Sequence, residues 1–409
     1  MYQHICKAWR HWRSERRLPG RIANTVPVAC VYWLRLRCRW WLPSNVHDGG
    51  GCIVQLPLLH GRYTYVLLFW LSLIYRKVIV IWDPSLNELC NLFAEGRLIF
   101  RLKRVMFARH WNALARAIDP TKWAVVGSQE SLQQAPVASR CFVAVHSDLA
   151  TRPVANSFLL PYTVHPLHLD YRIGPVRPEN EPRRIRVMFA GNTGFYHDAH
   201  FVERLYGVPS RDRCVQWLLS NRKDAVVVDT ISGRQKLFSR DSTKAVPCLM
   251  ICTTKGDRHR WFEELGSTDF FLCLPGSHML MCHNAIEAMA VGCIPILSYK
   301  DWFVPALREG VNCLSYRTVE ELGLAIDRAL SMSAAEIENL RRCVLDYYRS
   351  TLDPVQVSAR LAEVMRGLSR IHVYVNQEEC DTLRRAHSES VLHKGGTLQS
   401  PVHSATDLR

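Results

Sequence analysis

The sequence lacks several patterns that define common classes of protein. No two cysteines have the C-x-x-C spacing of a zinc site, and no two aspartates have the Asp-x-Asp spacing of a metal-binding pair. A transmembrane helix needs about 20 apolar residues, but the one membrane-like segment, residues 63–75, is followed at once by Arg76 and Lys77. The N-terminus has no signal peptide pattern, because charge interrupts its first apolar stretch. These absences argue against a metal site and against a simple membrane span.

Disulfide bonds are also not expected, although the chain contains 15 cysteines. The number is odd, the cysteines are scattered, and several lie inside apolar runs, as Cys252, Cys273 and Cys293 do. Cysteines in such runs are typical of buried free thiols in a reducing compartment.

Length and composition indicate two core-forming domains. The chain has 409 residues, of which 48% are apolar, and this is enough for two Rossmann-like halves. Its formal net charge is +15, and the segment before Asp48 supplies much of it. In that segment Glu15 alone opposes the basic residues Lys7, Arg10, Arg13, Arg16, Arg17, Arg21, Arg35, Arg37 and Arg39.

Tryptophans are interleaved with this basic charge, at Trp9, Trp12, Trp33, Trp40 and Trp41. The combination suits an anionic membrane surface, where cations meet headgroups and indoles lie at the interface. The same residues could instead bind the phosphates and bases of a nucleic acid, or form a poorly ordered extension. Composition favours membrane binding over nucleic-acid binding. A poorly ordered extension without either role remains an open alternative.

Strand and helix patterns alternate along the chain, as a parallel α/β sheet requires. In the first half we predict strands at 52–56, 77–82 and 123–126 and helices at 63–75 and 102–117. In the second half we predict strands at 185–190, 225–229, 247–252, 270–274, 293–297 and 311–314. Helices are predicted there at 212–220, 279–291, 319–330, 334–348 and 355–368.

Proline density and composition divide the chain into six parts. We predict a basic Trp/Arg-rich N-terminal extension (1–45), an N-terminal Rossmann-like acceptor domain (46–165) and a Pro-rich linker (166–184). They are followed by a C-terminal nucleotide-sugar-binding domain (185–350), a C-terminal crossing helix (351–370) and a polar tail expected to be disordered (371–409).

The stretch 269–297, DFFLCLPGSHMLMCHNAIEAMAVGCIPIL, carries the clearest functional pattern. An apolar run ends at Pro275-Gly276, a helix follows, Gly292 ends that helix, and a second apolar run begins. Ligands of parallel sheets lie beyond the carboxyl ends of strands, where helix N-termini offer N–H groups to phosphate. Glu287 lies on this helix among apolar and small residues, so it either binds a ligand hydroxyl or is a capping or paired helix residue.

The string NAIEAMAVGCIPI, preceded by F-x-L-x-P-G, resembles the nucleotide-sugar half of GT-B glycosyltransferases, and its ending is most similar to the exostosin-like branch. The MFAGN string at 188–192 also resembles the start of the C-terminal domain in that branch. The resemblance implies two Rossmann-like domains with parallel sheets that face each other across a cleft. It further implies that Glu287 holds the ribose of the nucleotide and that Pro275-Gly276 lies against the diphosphate.

Two positions depart from the family pattern. Exostosin-like proteins have an arginine where this chain has Asn284, and retaining GT-B enzymes have an acidic residue where it has Met279. A degenerate, non-catalytic GT-B protein is therefore an alternative to an enzyme.

Transfer from a nucleotide sugar requires that the negative charge of the leaving diphosphate be stabilised. Lys255 and Arg258, in a loop after a predicted strand, are the candidate cations for this role, with solvated loop charges as the alternative. Gly276 and Ser277 are expected to donate hydrogen bonds to the nucleotide, unless Pro-Gly only forms a turn. Asn284 or His283 could replace the missing arginine.

Asn192 and Gly194 follow the first strand of the second half, so they too could contact a substrate. A general base for the acceptor hydroxyl should come from strand ends of the first half. Asp83 and His146 are candidates by position, with structural roles as the alternative. The pair His165 and His168 has ligand-like spacing, but the proline between them argues against a metal site.

The sequence therefore predicts a metal-independent glycosyltransferase that uses a nucleotide-diphosphate sugar as co-substrate, with no other cofactor, and a glycan or glycolipid as acceptor. We expect a cytoplasmic location with peripheral membrane association, and we consider nucleic acid a less favoured partner. Glu287 is expected to emerge into the cleft beside the glycine turns.

Overall fold

The structure is a computed structural model. It describes residues 50–55, 61–83, 96–108, 110–114, 118–133, 135, 139–146, 156–170, 183–191, 201–238, 249–254, 256–257, 259–276 and 280–375. The chain divides into two compact units with the boundary between Val143 and Ala144. In the described part of the chain, every helix is too short or too polar to be a candidate membrane span.

Seven strands form one sheet, in the order β3-β2-β1-β4-β5-β13-β6. The strands are β1 (Gly51–Gln55), β2 (Val78–Ile81), β3 (Val105–Ala108), β4 (Trp123–Gly127), β5 (Cys141–His146), β6 (Ser157–Leu160) and β13 (Arg370–Val375). Four helices accompany them: α1 (Gly61–Ile74), α2 (Trp111–Leu114), α3 (Gln129–Leu132) and α4 (Pro166–Asp170). Parallel pairing joins β3, β2, β1 and β4 in turn, and joins β13 to β6.

Six strands form the second sheet, in the order β12-β11-β10-β7-β9-β8, with parallel pairing throughout. The strands are β7 (Ile185–Ala190), β8 (Val226–Val228), β9 (Leu249–Cys252), β10 (Thr268–Leu272), β11 (Ile294–Leu297) and β12 (Leu314–Ser315). The helices are α5 (Phe201–Tyr206), α6 (Arg211–Asn221), α7 (Ile231–Leu237), α8 (Trp261–Gly266), α9 (His283–Ala290), α10 (Val319–Ser331), α11 (Ala334–Tyr347) and α12 (Pro354–Met365). The predicted α/β fold with two parallel Rossmann-like sheets, as expected for a GT-B protein, is thus confirmed.

The central strands are mostly apolar because both faces of a parallel sheet are covered. Phe270, Phe271 and Leu272 of β10 are fully buried, as are Ile294 and Ile296 of β11. In the first unit Ile53, Ile79 and Trp123 pack together from β1, β2 and β4. These apolar runs were the basis for predicting the strands, and they form the cores of the two units.

The predicted helix at 102–117 is wrong for most of its described residues. Residues Val105–Ala108 form strand β3, paired in parallel with β2, and the short helix α2 follows. The run VMFA supports either structure, and pairing with β2 favours the strand by burying Phe107 and Ala108. Strand β13 was not predicted either. The domain boundaries proposed above stay predictions.

Gly323 of α10 packs against the indole ring of Trp217 on α6, so we expect Gly323→Ala to destabilise the fold. A Cβ at Gly323 would lie 2.5 Å from the ring carbon Cη2 of Trp217, and a rigid ring can move away only by disturbing its neighbours. Overpacking of this kind costs about 1–3 kcal/mol, which urea denaturation would measure.

Gly266→Ala is the matched control for this prediction. Gly266 also lies in a helix, but a Cβ there would meet no atom within 4 Å. Alanine should therefore be neutral or stabilise by up to about 1 kcal/mol. Equal effects of the two substitutions would contradict the packing argument.

Candidate functional site

The turns after β7 and β10 meet around the guanidinium group of Arg211, the first residue of α6. Its Nε donates to the carbonyl oxygen of Pro275 at 3.0 Å, and its Nη2 donates to the carbonyl of Leu274 at 3.4 Å and to Cys282 Sγ at 3.1 Å. On the β7 side, a Cβ at Gly191 would lie 3.9 Å from Arg211 Nη1. A fixed positive charge therefore lies at the carboxyl edge of the second sheet. Ligands of parallel sheets bind at this edge.

The turn after β9 is held by another arginine. Arg234 of α7 donates from Nη1 to the carbonyl of Thr254 at 2.8 Å, and a Cβ at Gly256 would collide with its guanidinium. Arg234 is itself paired with the buried carboxylate of Glu264 on α8. The buried ion pair therefore fixes Thr254, the residue before the predicted cation Lys255, which lies outside the described residues.

Glu287 lies on α9, one turn from its start, and only 4% of it is exposed. Its Oε1 accepts from the backbone N–H of His165 at 2.9 Å, and its Oε2 accepts from Trp261 Nε1 at 2.6 Å. Burial raises the pKa of this carboxyl to about 7, although both hydrogen bonds act in the opposite direction. The expectation that Glu287 emerges as an open carboxylate is therefore wrong, because a main-chain amide and an indole cover it.

The segment Tyr162 to His168 supplies most of the groups around the start of α9. His283 Nδ1 donates to the carbonyl oxygen of Thr163 at 2.6 Å, and its Nε2 lies 3.2 Å from the Tyr162 hydroxyl. The rings of Tyr162 and His283 also stack, with centroids 4.5 Å apart. His283 is therefore a packed residue.

Two buried polar atoms near the start of α9 have no hydrogen-bond partner among the described residues. They are Thr163 Oγ1 and Asn284 Oδ1. The N-cap residue of this helix, Cys282, makes no side-chain capping bond to the first turn. Unpaired polar groups of this kind can accept or donate to a ligand, so the first turn of α9 retains hydrogen-bonding capacity.

Of the residues predicted to bind the nucleotide sugar, Glu287, Asn284 and Gly276 belong to this site. The N–H of Gly276 donates to the carbonyl of Leu280 at 3.2 Å, so it closes the loop between β10 and α9. The remaining predicted residues, Ser277, Lys255, Arg258, Asn192 and Gly194, lie outside the described residues. Their binding roles stay predictions.

The candidate bases lie at the ends of strands of the first sheet. Asp83 follows β2 and is exposed. His146 ends β5, and its Nε2 lies 2.9 Å from His372 Nδ1 of β13, with the ring of Tyr374 stacked on it at 4.8 Å. Burial lowers the pKa of His372, and nearby Arg370 lowers it further. The two imidazoles are hydrogen-bonded to each other. The catalytic roles of Asp83 and His146 stay predictions.

The histidines near Glu287 make contacts within the protein. His165 Nδ1 accepts from the N–H of Leu167, and His168 Nε2 lies 3.9 Å from Glu287 Oε1. Within the described ranges, no three His, Cys, Asp or Glu side chains are grouped so that they could hold a metal ion.

Sequence reasoning missed Arg211 and Trp261. Arg211 is 64 residues from Pro275, and Trp261 is 26 residues from Glu287. No local pattern marks either residue, because the first is one of two basic residues in α6 and the second opens a short helix. Only the pairing of β7 and β10 places Arg211 at the loop.

Comparisons with known proteins found similar structures but no matching sequence family. No protein-family model matches the chain, and no curated protein sequence matches it. A glycosyltransferase from Rickettsia africae is similar in structure, with a TM-score of 0.47 and 10% identity over 78% of this chain and 99% of that chain. Anabaena Alr3699/HepE in complex with UDP has a TM-score of 0.43 and 11% identity over 78% of this chain and 100% of that chain.

A third similar structure is an alpha-glucosyltransferase in complex with UDP and a 13-mer DNA containing a HMU base. It has a TM-score of 0.42 and 11% identity over 78% of this chain and 100% of that chain. The similar structures thus include glycosyltransferases. Identities of 10–11% and TM-scores of 0.42–0.47 carry no information about function.

Proposed function

We propose that this chain is a metal-independent glycosyltransferase that moves a sugar from a nucleotide-diphosphate donor to a glycan or glycolipid acceptor. The observation that carries the proposal is the position of Arg211. Its guanidinium lies where the turns after two adjacent parallel strands meet, beside the loop that leads into α9. A leaving diphosphate at this edge of the sheet would have a fixed cation and a helix N-terminus to neutralise it.

Arg211 would work together with the cations predicted from the sequence, Lys255 and Arg258. Its bonds to the carbonyls of Pro275 and Leu274 hold the guanidinium in place at this edge of the sheet. A preorganised cation needs no rearrangement when charge develops on the leaving group. This supports a reaction in which side chains do the work that a metal does in other transferases.

The ribose role of Glu287 remains part of the proposal, with one added requirement. Both carboxylate oxygens already accept hydrogen bonds, and the group is almost fully buried. A ribose hydroxyl could donate to Glu287 only after one present donor moves. Of the two hydrogen-bond donors, the Trp261 indole is the one with freedom to move, because the other is a main-chain N–H. Binding of the nucleotide sugar would therefore involve a rearrangement of Trp261.

We expect the full chain to bind UDP, GDP or one of their sugars, and Arg211→Met to weaken that binding about ten- to a hundredfold. The loss corresponds to one charge-assisted contact, worth about 1.5–3 kcal/mol. Calorimetric titration would measure the affinity after a thermal-shift screen has identified the nucleotide.

The matched control is Arg213→Met, two residues further along α6. The Arg213 side chain is 61% exposed and is paired with Glu203, so its removal should leave nucleotide affinity unchanged. Binding of none of the nucleotides would remove the proposed function, and equal losses in the two variants would remove the role of Arg211.

The second candidate function is that of a degenerate GT-B protein that binds without transferring a sugar. One observation favours it: the carboxylate expected to hold the ribose is covered by His165 and Trp261. Binding of a nucleotide together with no hydrolysis or transfer of any donor sugar would support this candidate over the enzyme.

Location and further partners are proposals from composition alone. The basic Trp/Arg-rich segment at 1–45, which lies outside the described residues, supports peripheral association of a cytoplasmic protein with an anionic membrane. Nucleic acid is the alternative partner for the same segment. Flotation with anionic vesicles, compared with salt-dependent binding to a random DNA duplex, would separate the two.

A further inference from the structure

Exposed apolar side chains are concentrated in residues 219–231, the part of the chain that contains strand β8. The exposed fractions are 41% for Leu219 of α6, 43% for Val226 and 49% for Val227 of β8, and 59% for Ile231 of α7. These four residues lie within a stretch of 13 in the sequence, whereas the other exposed large apolar residues of the described chain are dispersed. Concentrated apolar exposure of this kind marks an interaction surface more often than single exposed residues do.

Strand β8 is the terminal strand of its sheet among the strands that the structure describes. The carbonyl of Val228 accepts from the N–H of Thr253, so the backbone of Val228 faces β9. In a parallel ladder, neighbouring residues direct their N–H and C=O groups to opposite sides. The backbone of Val227 therefore faces away from β9, and it offers one donor and one acceptor to another strand.

Charges of opposite sign lie at the two ends of this strand. Lys223 precedes β8 and Asp229 follows it, and both are exposed. Neither makes an ion pair with another described residue. The adjacent Arg222 is already engaged, because it is paired with Asp224 and Asp327. A strand with a positive charge before it and a negative charge after it is complementary to itself in the antiparallel direction.

We propose that two copies of this chain associate through antiparallel pairing of their β8 strands around a two-fold axis at Val227. The two Val227 residues would exchange both backbone hydrogen bonds, as a hydrogen-bonded antiparallel pair does. Asp229 of each copy would lie beside the turn at residues 222–225 of the other, from which the exposed Lys223 side chain extends. Val226, Val227 and Ile231 would lose solvent exposure.

The occupant is a second copy because the surface is self-complementary in charge and in backbone direction. The strand is only three residues long, so the contact belongs to the small interfaces, below about 1,200 Å² in total area. Dimers of this size dissociate on dilution. The monomer–dimer equilibrium should therefore be visible across a concentration series.

Sedimentation velocity of the full chain over a hundredfold concentration range tests the proposal. We expect a reversible shift from monomer to dimer in the wild type. Val227→Lys should leave the chain monomeric at every concentration. Lys223→Asp should weaken the dimer at least tenfold, because Asp229 would then face a like charge. The double variant K223D/D229K should restore it, because the pair is reversed.

Val355→Lys is the control for nonspecific effects, since Val355 of α12 is also exposed but distant in sequence from β8. It should dimerise like the wild type. Thermal melting of each variant would show that the substitutions leave the fold intact. A wild type that stays monomeric throughout the series, or a dimer that survives both Val227→Lys and Lys223→Asp, would overturn the proposal.

Discussion

Arg234→Ala is expected to lower the free energy of unfolding by about 3–5 kcal/mol, the usual cost of leaving one partner of a buried ion pair alone. Arg234 is 3% exposed and Glu264 is 4% exposed. Arg234 Nε donates to Glu264 Oε2 at 3.1 Å, and the guanidinium lies over the Trp261 ring at 5.8 Å. Without the arginine, Glu264 keeps a buried carboxylate whose pKa burial already raises. Urea denaturation monitored by circular dichroism would measure the loss.

Arg222→Ala is the control for this prediction. Arg222 donates to Asp224 and Asp327, but both carboxylates are more than half exposed. Exposed pairs contribute about 0–1 kcal/mol, so this substitution should have a much smaller effect. If the two arginines prove equivalent, burial does not govern the energy of the pair.

The double substitution of Arg234 by Met and Glu264 by Leu should recover most of the stability lost in Arg234→Ala. Apolar residues of similar volume avoid the cost of an unpaired buried charge. They do not replace the hydrogen bond from Arg234 to the Thr254 carbonyl. The double variant should therefore fold and yet hold the turn after β9 less firmly, which would weaken nucleotide binding if Lys255 acts there.

The second large effect is the contribution of Glu287 to the pH dependence of stability. Burial raises the pKa of Glu287 from 4.5 to about 7 in the folded chain. Below pH 4.5 the carboxyl group is protonated in both the folded and the unfolded chain, so its contribution to the stability of the folded chain is fully present there. As the pH rises to about 7, the unfolded chain releases the proton first, which favours unfolding. The contribution lost by pH 8 amounts to about 3 kcal/mol.

Glu287→Gln isolates this contribution because glutamine does not titrate. The stability of the wild type relative to Glu287→Gln should fall by about 3 kcal/mol between pH 4.5 and pH 8. The glutamine amide also faces two hydrogen-bond donors, which lowers the stability of the variant by a constant amount. This constant does not affect how the stability difference changes with pH. Urea denaturation of both proteins across this pH range would give the difference directly.

Glu320→Gln should show the opposite trend. Hydrogen bonds from its own backbone N–H and from Thr318 hold the pKa of Glu320 below its usual value. The stability of the wild type relative to this variant should therefore rise with pH. A flat difference for Glu287→Gln would show that its carboxyl titrates normally and is not enclosed as described.

The sequence by itself determined the α/β class and most of the second sheet. Strand β7 occupies the predicted residues 185–190, and the helices near 319–330 and 334–348 lie within one residue of their predicted ends. Apolar runs bounded by turns, and helices that begin at caps such as Thr318 and Ser333, are encoded by neighbouring residues. Interactions of this range are visible in a sequence.

The tertiary structure alone decided which residues meet at the site. The sequence identified the β10–α9 loop and Glu287, because the loop and the helix are local features. It did not indicate that a main-chain N–H 122 residues away covers Glu287, or that Arg211 reaches the loop from 64 residues away. Likewise, residues 105–108 became a strand because β2 lies beside them. Such contacts depend on the order in which strands pair, and residue patterns within one segment do not specify that order.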